Sequence, residues 1–263
     1  MAIDKADIDA FRTAVELLEH PSLAARLTNL IGKPVELVGR ALPVGASQAI
    51  ATATTKSLEA ALKVALLTIR NESQERSQLL HRALAVASGA AGGAFGIISL
   101  PVELPVSTII ILRSILDIAR SEGENLTDPE ATLSCVEVFG LGGRAETDSA
   151  ANGDYFFIRG LLAKSVTEAA RFIAERGVVE TGSPVIVRLI AQVASRFGVV
   201  VTQKAAAQAI PVIGAVGGAA VNYAFIDHFQ SIARGHFTVR RLERKYGKGI
   251  VFAAYEEVRQ NLK

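Results

Sequence analysis

Asp227 and His228 are adjacent in this chain, and His236 follows eight positions later. A carboxylate beside an imidazole is the minimum for general acid–base work, so a hydrolase or peptidase could draw on this pair. Cys135, the one cysteine, is the other candidate nucleophile. It would need a histidine from elsewhere, His20, His81, His228 or His236, to take its proton. Each has a plainer role beside it. Cys135 between Ser134 and Val136 suits packing in a helix. His228 falls in line with Val221, Phe225 and Ile232, which turns it to an apolar stripe where backbone or a carboxylate would bond it. A metal site at Asp227 and His228 would need a third ligand from elsewhere, such as Glu103. There is no H-E-x-x-H, no paired cysteine, no G-x-x-x-x-G-K-[ST] and no G-x-S-x-G. The run FGLGGRAE echoes the dinucleotide fingerprint at Gly140, Gly142 and Ala145. It follows CVEVF (135–139), a poor strand, so a helix end explains its glycines better. No metal and no cofactor is assigned.

Two uncharged stretches carry a different chemistry. Residues 83–102 and 205–226 lack Asp, Glu, Lys and Arg, and each contains G-x-x-G-G-A. The first places Gly89, Gly92, Gly93 and Gly96 at helical spacing, the second Gly214, Gly217 and Gly218. Such a glycine zipper lets another backbone or a lipid chain approach closely. A helix of about 20 residues would also span the hydrocarbon core of a bilayer. A close-packed pair inside a bundle, a membrane-inserted hairpin and an acyl-chain groove are the three readings. The missing tryptophan and sparse tyrosine argue against many spans, which favour aromatic belts.

Polar groups flank these stretches. Arg234, Arg240, Arg241, Arg244, Lys245 and Lys248 are opposed along the chain by Glu243 alone, a local net of +5. Such a cluster attracts anionic headgroups. It is equally a solvated helix face, and nucleic acid is disfavoured because no reading module accompanies it. Arg113, Asp117 and Arg120 share one face of an apolar helix, with Glu103 before them. They form a salt-bridged solvent face or a polar headgroup site in which Arg113 or Arg120 meets phosphate or carboxylate.

The elements that would carry these groups read as helix almost throughout, so the expected fold is an all-α, multi-helix bundle with two central Gly-rich apolar helices. Asp4 opens a first helix that must stop before Pro21, and Ser22 opens a second that Gly32 ends. Pro34 suits the start of a third. Helices are expected over about 47–70, from about 74 into the first glycine stretch, from Pro105 to Gly123, and from the Asp128–Pro129 cap to about Leu141. Others run to Arg176, from Ser183–Pro184, through the second glycine stretch to Tyr246, and over a short last segment. Residues 135–139 and 197–201 alternate with period two but are short, and are read as helix or loop. The chain is expected to form one domain over 1–263, with a hinge near 142–154. The twice-occurring glycine pattern does not establish a structural repeat.

The 263 residues are half apolar, with mean hydropathy +0.33 and net charge +2. A lone cysteine excludes an intrachain disulfide and suits a reducing compartment. The first twenty residues mix charges into a helical pattern, unlike a signal peptide.

The runs SLPVELPVSTIIILRSILDIARSEGENL (99–126), IPVIGAVGGAAVNYAFIDHFQSIARGHFTVRRLERKYG (210–247) and PSLAARLTNLIGKPVE (21–36) resemble the EcsC family, from about residue 20 to 250. The resemblance implies a bacterial, membrane-linked helical protein, since the family is named for a gene beside those of an ABC transporter. It supplies no catalytic residues. The expected function is a cytoplasmic protein, peripheral to the inner membrane, that binds lipid or another hydrophobic ligand and assists a membrane transport system. The expected partners are an anionic membrane surface, an ABC-transporter component or a second copy of the chain. A hydrolase using Cys135 or Asp227/His228 is the alternative.

Overall fold

A computed structural model describes residues 3–19, 23–32, 34, 39, 42, 45–70, 100–143, 155–177, 182–209 and 214–262. Among them are nine helices and no strand: α1 Lys5–Glu19, α2 Leu23–Ile31, α3 Ala46–Arg70, α4 Leu100–Ser121, α5 Pro129–Leu141, α6 Tyr155–Arg176, α7 Pro184–Gln208, α8 Gly214–Tyr246 and α9 Lys248–Asn261. Local chemistry explains many of their ends. Asp128 accepts the Glu130 N–H at 3.3 Å, and Pro129, whose missing N–H would be unpaired anyway, begins α5. Gly32 and Gly247 take φ of +66° and +93°, which ends α2 and turns α8 into α9.

Two boundaries differ from the sequence expectation. Helix α4 starts at Leu100, with Pro101 in its first turn and Pro105 inside it, rather than opening at Pro105. Proline in a first turn removes no helical bond, so Pro101 opens α4 as well as Pro105 would. The second uncharged stretch is not one helix either. Helix α7 ends at Gln208 and α8 begins at Gly214, so the stretch is shared between two helices. The runs 135–139 and 197–201 lie inside α5 and α7, as helix.

Helix α5 is buried from Ala131 to Leu141 and packs against α3, α4, α6, α7 and α8. Phe139, Phe197, Phe225 and Phe229 meet where α5, α7 and α8 join, with ring centroids 5.0–6.1 Å apart. A second aromatic group, Phe11, Tyr155, Phe156, Phe252 and Tyr255, joins α1, α6 and α9. The buried apolar side chains form one cluster drawn from both sides of the expected hinge. Gly142 and Gly143, at the start of that hinge, are buried; residues 144–154 lie outside the described residues.

The long helix α8 sets the polarity of the bundle. Helices α1 and α2 run against it: Asp7 meets Lys245, Leu18 meets Gly235, and Arg26 meets Asp227. Helix α4 runs with it, because Glu103 bonds Asn222 while Glu122 bonds Thr238 and Arg241. One end of the bundle therefore gathers the uncharged beginning of α8, and the other gathers charge. Among the described residues one helix, α7, is long and apolar enough to cross a bilayer, at mean hydropathy 1.7. It packs against α2, α3, α5, α6 and α8.

Candidate apolar groove and its polar surroundings

At the uncharged end, small side chains leave a gap between helices. Ala219, Ala220, Tyr223 and Ala224 of α8 face Arg26, Asn29 and Leu30 of α2 across an open groove of about 610 Å³. Its α8 side comes from the second G-x-x-G-G-A stretch, where alanine methyl groups cannot fill the space. Leu30 and Tyr223 stand exposed beside it, Tyr223 at 72%. The volume falls within the roughly 300–1,000 Å³ of small-molecule sites, and the lining is mostly apolar. The cation at this groove is Arg26, half-exposed and ion-paired with Asp227 one turn beyond Ala224.

Of the expected glycine set, Gly218 is half-buried and Gly214 and Gly217 lie in the first turn of α8. Gly89, Gly92, Gly93 and Gly96 lie outside the described residues, as do His20 and His81. Close approaches are seen at three other glycines. A Cβ on Gly143 would sit 2.1 Å from the Arg196 carbonyl oxygen, one on Gly142 2.7 Å from the Phe229 ring, and one on Gly235 2.6 Å from Leu18. These positions need glycine so that α5 can meet α7 and α8, and α8 can meet α1.

The candidate catalytic residues are held by separate partners. Cys135 is fully buried, its thiol donates to the Ala131 carbonyl at 3.5 Å, and burial pushes its pKa up. A thiol so raised is a poor nucleophile. Asp227 belongs to Arg26. His228 is buried, as its position on the apolar stripe predicts, and its Nε2–H donates to the Gly142 carbonyl at 3.0 Å. Among the described residues no group of three or more His, Cys, Asp or Glu is placed to hold a metal ion.

Glu103, expected as a headgroup or metal ligand, is held by partners from α7. Lys204 of α7, with no exposed surface, donates to it at 2.8 Å, and Gln208 adds a bond at 3.3 Å. Burial alone would raise the Glu103 pKa, but the Lys204 charge together with the hydrogen bonds from Lys204, Gln208 and Asn222 outweighs it and holds the carboxyl below its ordinary value. Burial lowers the Lys204 pKa despite that partner, and its ammonium lies 4.6 Å from the Phe225 ring centroid. Lys204 escaped the sequence reading, although its spacing from Phe197, Val200 and Val201 puts it on their buried stripe.

The basic residues of α8 sit at the opposite end and are largely neutralised. Arg240 makes a two-bond fork with Glu124, at 2.8 and 3.1 Å, and Arg244 shares that carboxylate. Arg241 pairs with Asp7 and Glu122, and Lys245 with Asp7. Together with the Tyr246 hydroxyl, these bonds hold the Asp7 pKa well below the carboxylate range. The +5 counted along the chain is thus offset across space; Arg234 and Lys248 are exposed. Arg120 pairs with exposed Asp117 at 2.7 Å, the solvent-face arrangement, while Arg113 is half-buried.

Between α5, α6 and α8 lies a second buried polar group, of which the sequence singled out His236 but not Tyr155 or Arg159. Arg159 forks onto Glu243 at 2.8 and 2.7 Å, and also donates to Tyr155 Oη at 3.3 Å. The Tyr155 hydroxyl meets His236 Nδ1 at 2.9 Å. Burial and the charges of Arg159 and Arg240 keep the His236 pKa well below its usual value.

The EcsC protein family matches residues 10–242, most of the chain, which therefore belongs to that family. No curated protein and no solved structure matches it.

Proposed function

We propose that this EcsC-family chain is a membrane-associated helical protein that binds a lipid or another hydrophobic ligand, with one apolar chain lying in the α2–α8 groove. The observation that carries the reading is the groove itself. It is open, mostly apolar, lined by the small residues of an uncharged stretch, and has the guanidinium of Arg26 at its side. The distribution of charge adds support. The paired basic residues lie at the other end of α8, so a membrane surface would meet Leu30 and Tyr223 before it met Arg240 to Lys245. In this arrangement the chain is peripheral to the inner membrane on its cytoplasmic side and takes up a single acyl chain there. Arg26 exchanges its Asp227 partner for an anionic head, a charge-assisted bond of the same kind.

Native mass spectrometry after incubation with lysophosphatidylglycerol tests this. Wild type should retain one lipid, and Ala220→Trp, which fills the groove from a half-buried position, should lose it. Absence of any lipid adduct on wild type, or equal binding by Ala220→Trp, would contradict the proposal.

A further inference from the structure

Helix α5 is surrounded by five other helices, yet it carries a carboxyl group, Glu137, that is only 3% exposed. Among the described residues its Oε1 has no hydrogen-bond partner, and neither has the nearby Ser134 Oγ, one turn earlier on the same helix. The cations that act on Glu137 are Arg159 of α6 and Arg240 of α8. Both are committed as two-bond forks to other carboxylates, Arg159 to Glu243 and Arg240 to Glu124. Glu243 and Glu130 repel it further. Glu243 takes both bonds of the Arg159 fork, and Glu124 takes those of Arg240 together with one from Arg244, so Glu137 is the carboxyl of the cluster that no arginine bonds. The remaining groups on this side are Tyr155 and His236, and both are neutral: burial raises the Tyr155 pKa and depresses that of His236.

Among the described residues, the other helices packed on α5 bring no further cation to it. Lys204 of α7 pairs with Glu103 of α4, and Arg196 of α7 bonds the Gly140 and Gly143 carbonyls. Arg188 of α7 is exposed and pairs with Glu168, and Arg120 of α4 pairs with Asp117. Arg113 of α4 is half-buried, and Lys56, Glu59 and Lys63 of α3 are exposed or half-buried.

An unpaired carboxylate in such a place is costly, and the group avoids the cost by staying neutral. We propose that Glu137 is a proton-binding site in the core, and that the packing of α5 against α6 and α8 depends on the proton it holds. Burial pushes its pKa up to about 7, so the proton is held below neutrality and released above it. Release leaves an uncompensated negative charge in the most enclosed helix of the bundle. Helix α8 connects this cluster to the groove, so proton release loosens the element on which the groove is built.

The test compares wild type with Glu137→Gln by urea denaturation between pH 5 and 8.5. A carboxyl whose native pKa is raised takes up a proton on folding, so its contribution falls as pH rises. The wild-type folding constant should drop relative to Glu137→Gln by about tenfold for each pH unit from 5 to near 7, then level off. The neutral His236 contributes an opposite slope in both proteins and cancels. Parallel pH profiles for the two proteins would overturn the proposal. Infrared spectroscopy of the folded wild type gives an independent reading if Glu137→Gln does not fold. A protonated-carboxyl stretch should be present at pH 5.5 and absent at pH 8.5, and its absence at pH 5.5 would equally overturn the proposal.

Discussion

Replacing Gly143 by alanine should damage this fold more than a single methyl group normally does. The added Cβ would lie 2.1 Å from the carbonyl oxygen of Arg196 and 2.5 Å from its carbonyl carbon. Both are backbone atoms in the middle of α7, so no side chain can swing aside. Ordinary contact would require α5 and α7 to separate by roughly 1 Å, and such overpacking costs about 1–3 kcal/mol. Separation also pulls the Arg196 guanidinium from the Gly140 and Gly143 carbonyls, which it bonds at 3.2 and 2.7 Å. Each such bond contributes roughly 1 kcal/mol or more. The combined loss is about 3 kcal/mol or greater, which in a chain of this size lowers the melting temperature by roughly 6 °C or more. Gly160 provides the contrast. It lies exposed within α6 with nothing within 4 Å of its would-be Cβ. Gly160→Ala should therefore stabilise by roughly 0.5–1 kcal/mol through backbone entropy alone. Thermal melts followed by circular dichroism read both. A Gly143→Ala protein melting within a degree of wild type, or two shifts of the same sign, would refute the close crossing of α5 and α7.

Two further substitutions test the ion pairs. Glu103→Gln leaves the fully buried Lys204 ammonium without its counter-charge and should cost about 3–5 kcal/mol. Adding Lys204→Met should recover most of that loss, as urea denaturation of the single and double variants would show. Asp7 has a depressed pKa, so its stabilising contribution is present above the unfolded value of 3.8 and is lost as pH falls below it. Wild type should therefore exceed Asp7→Asn in denaturation midpoint at pH 7, and the gap should close steadily as the buffer is taken below pH 4.

What could be read from the chain was mostly local. The Asp128–Pro129 and Ser183–Pro184 starts, the stop at Gly32 and the turn at Gly247 depend on a few neighbouring residues, and the helices fall where these signals put them. The all-α class follows from the same pattern. Pairings between distant residues were not legible. The cluster from Arg234 to Lys248 looked like unopposed charge because Asp7, Glu122 and Glu124 approach it only through the fold. G-x-x-x-G spacing marks where a close approach is allowed. It does not say which glycine meets another element, and the close approaches at Gly143 and Gly235 carry no such spacing signal. Lys204, Glu137 and His236 are polar residues in apolar runs, and their partners come from other helices. Of the groove, the alanines and glycines of 214–226 were visible in advance, whereas Arg26, Asn29 and Leu30 join them only because α2 runs antiparallel to α8.

The most direct test of ligand binding uses the absence of tryptophan from this chain. Tyr223→Trp places a single indole at the groove. Its emission should shift to the blue on adding anionic vesicles or a single-chain anionic lipid, and lipid brominated along the chain should quench it. Emission that neither shifts nor is quenched, at lipid concentrations well above those of the protein, would contradict an acyl chain in the α2–α8 groove.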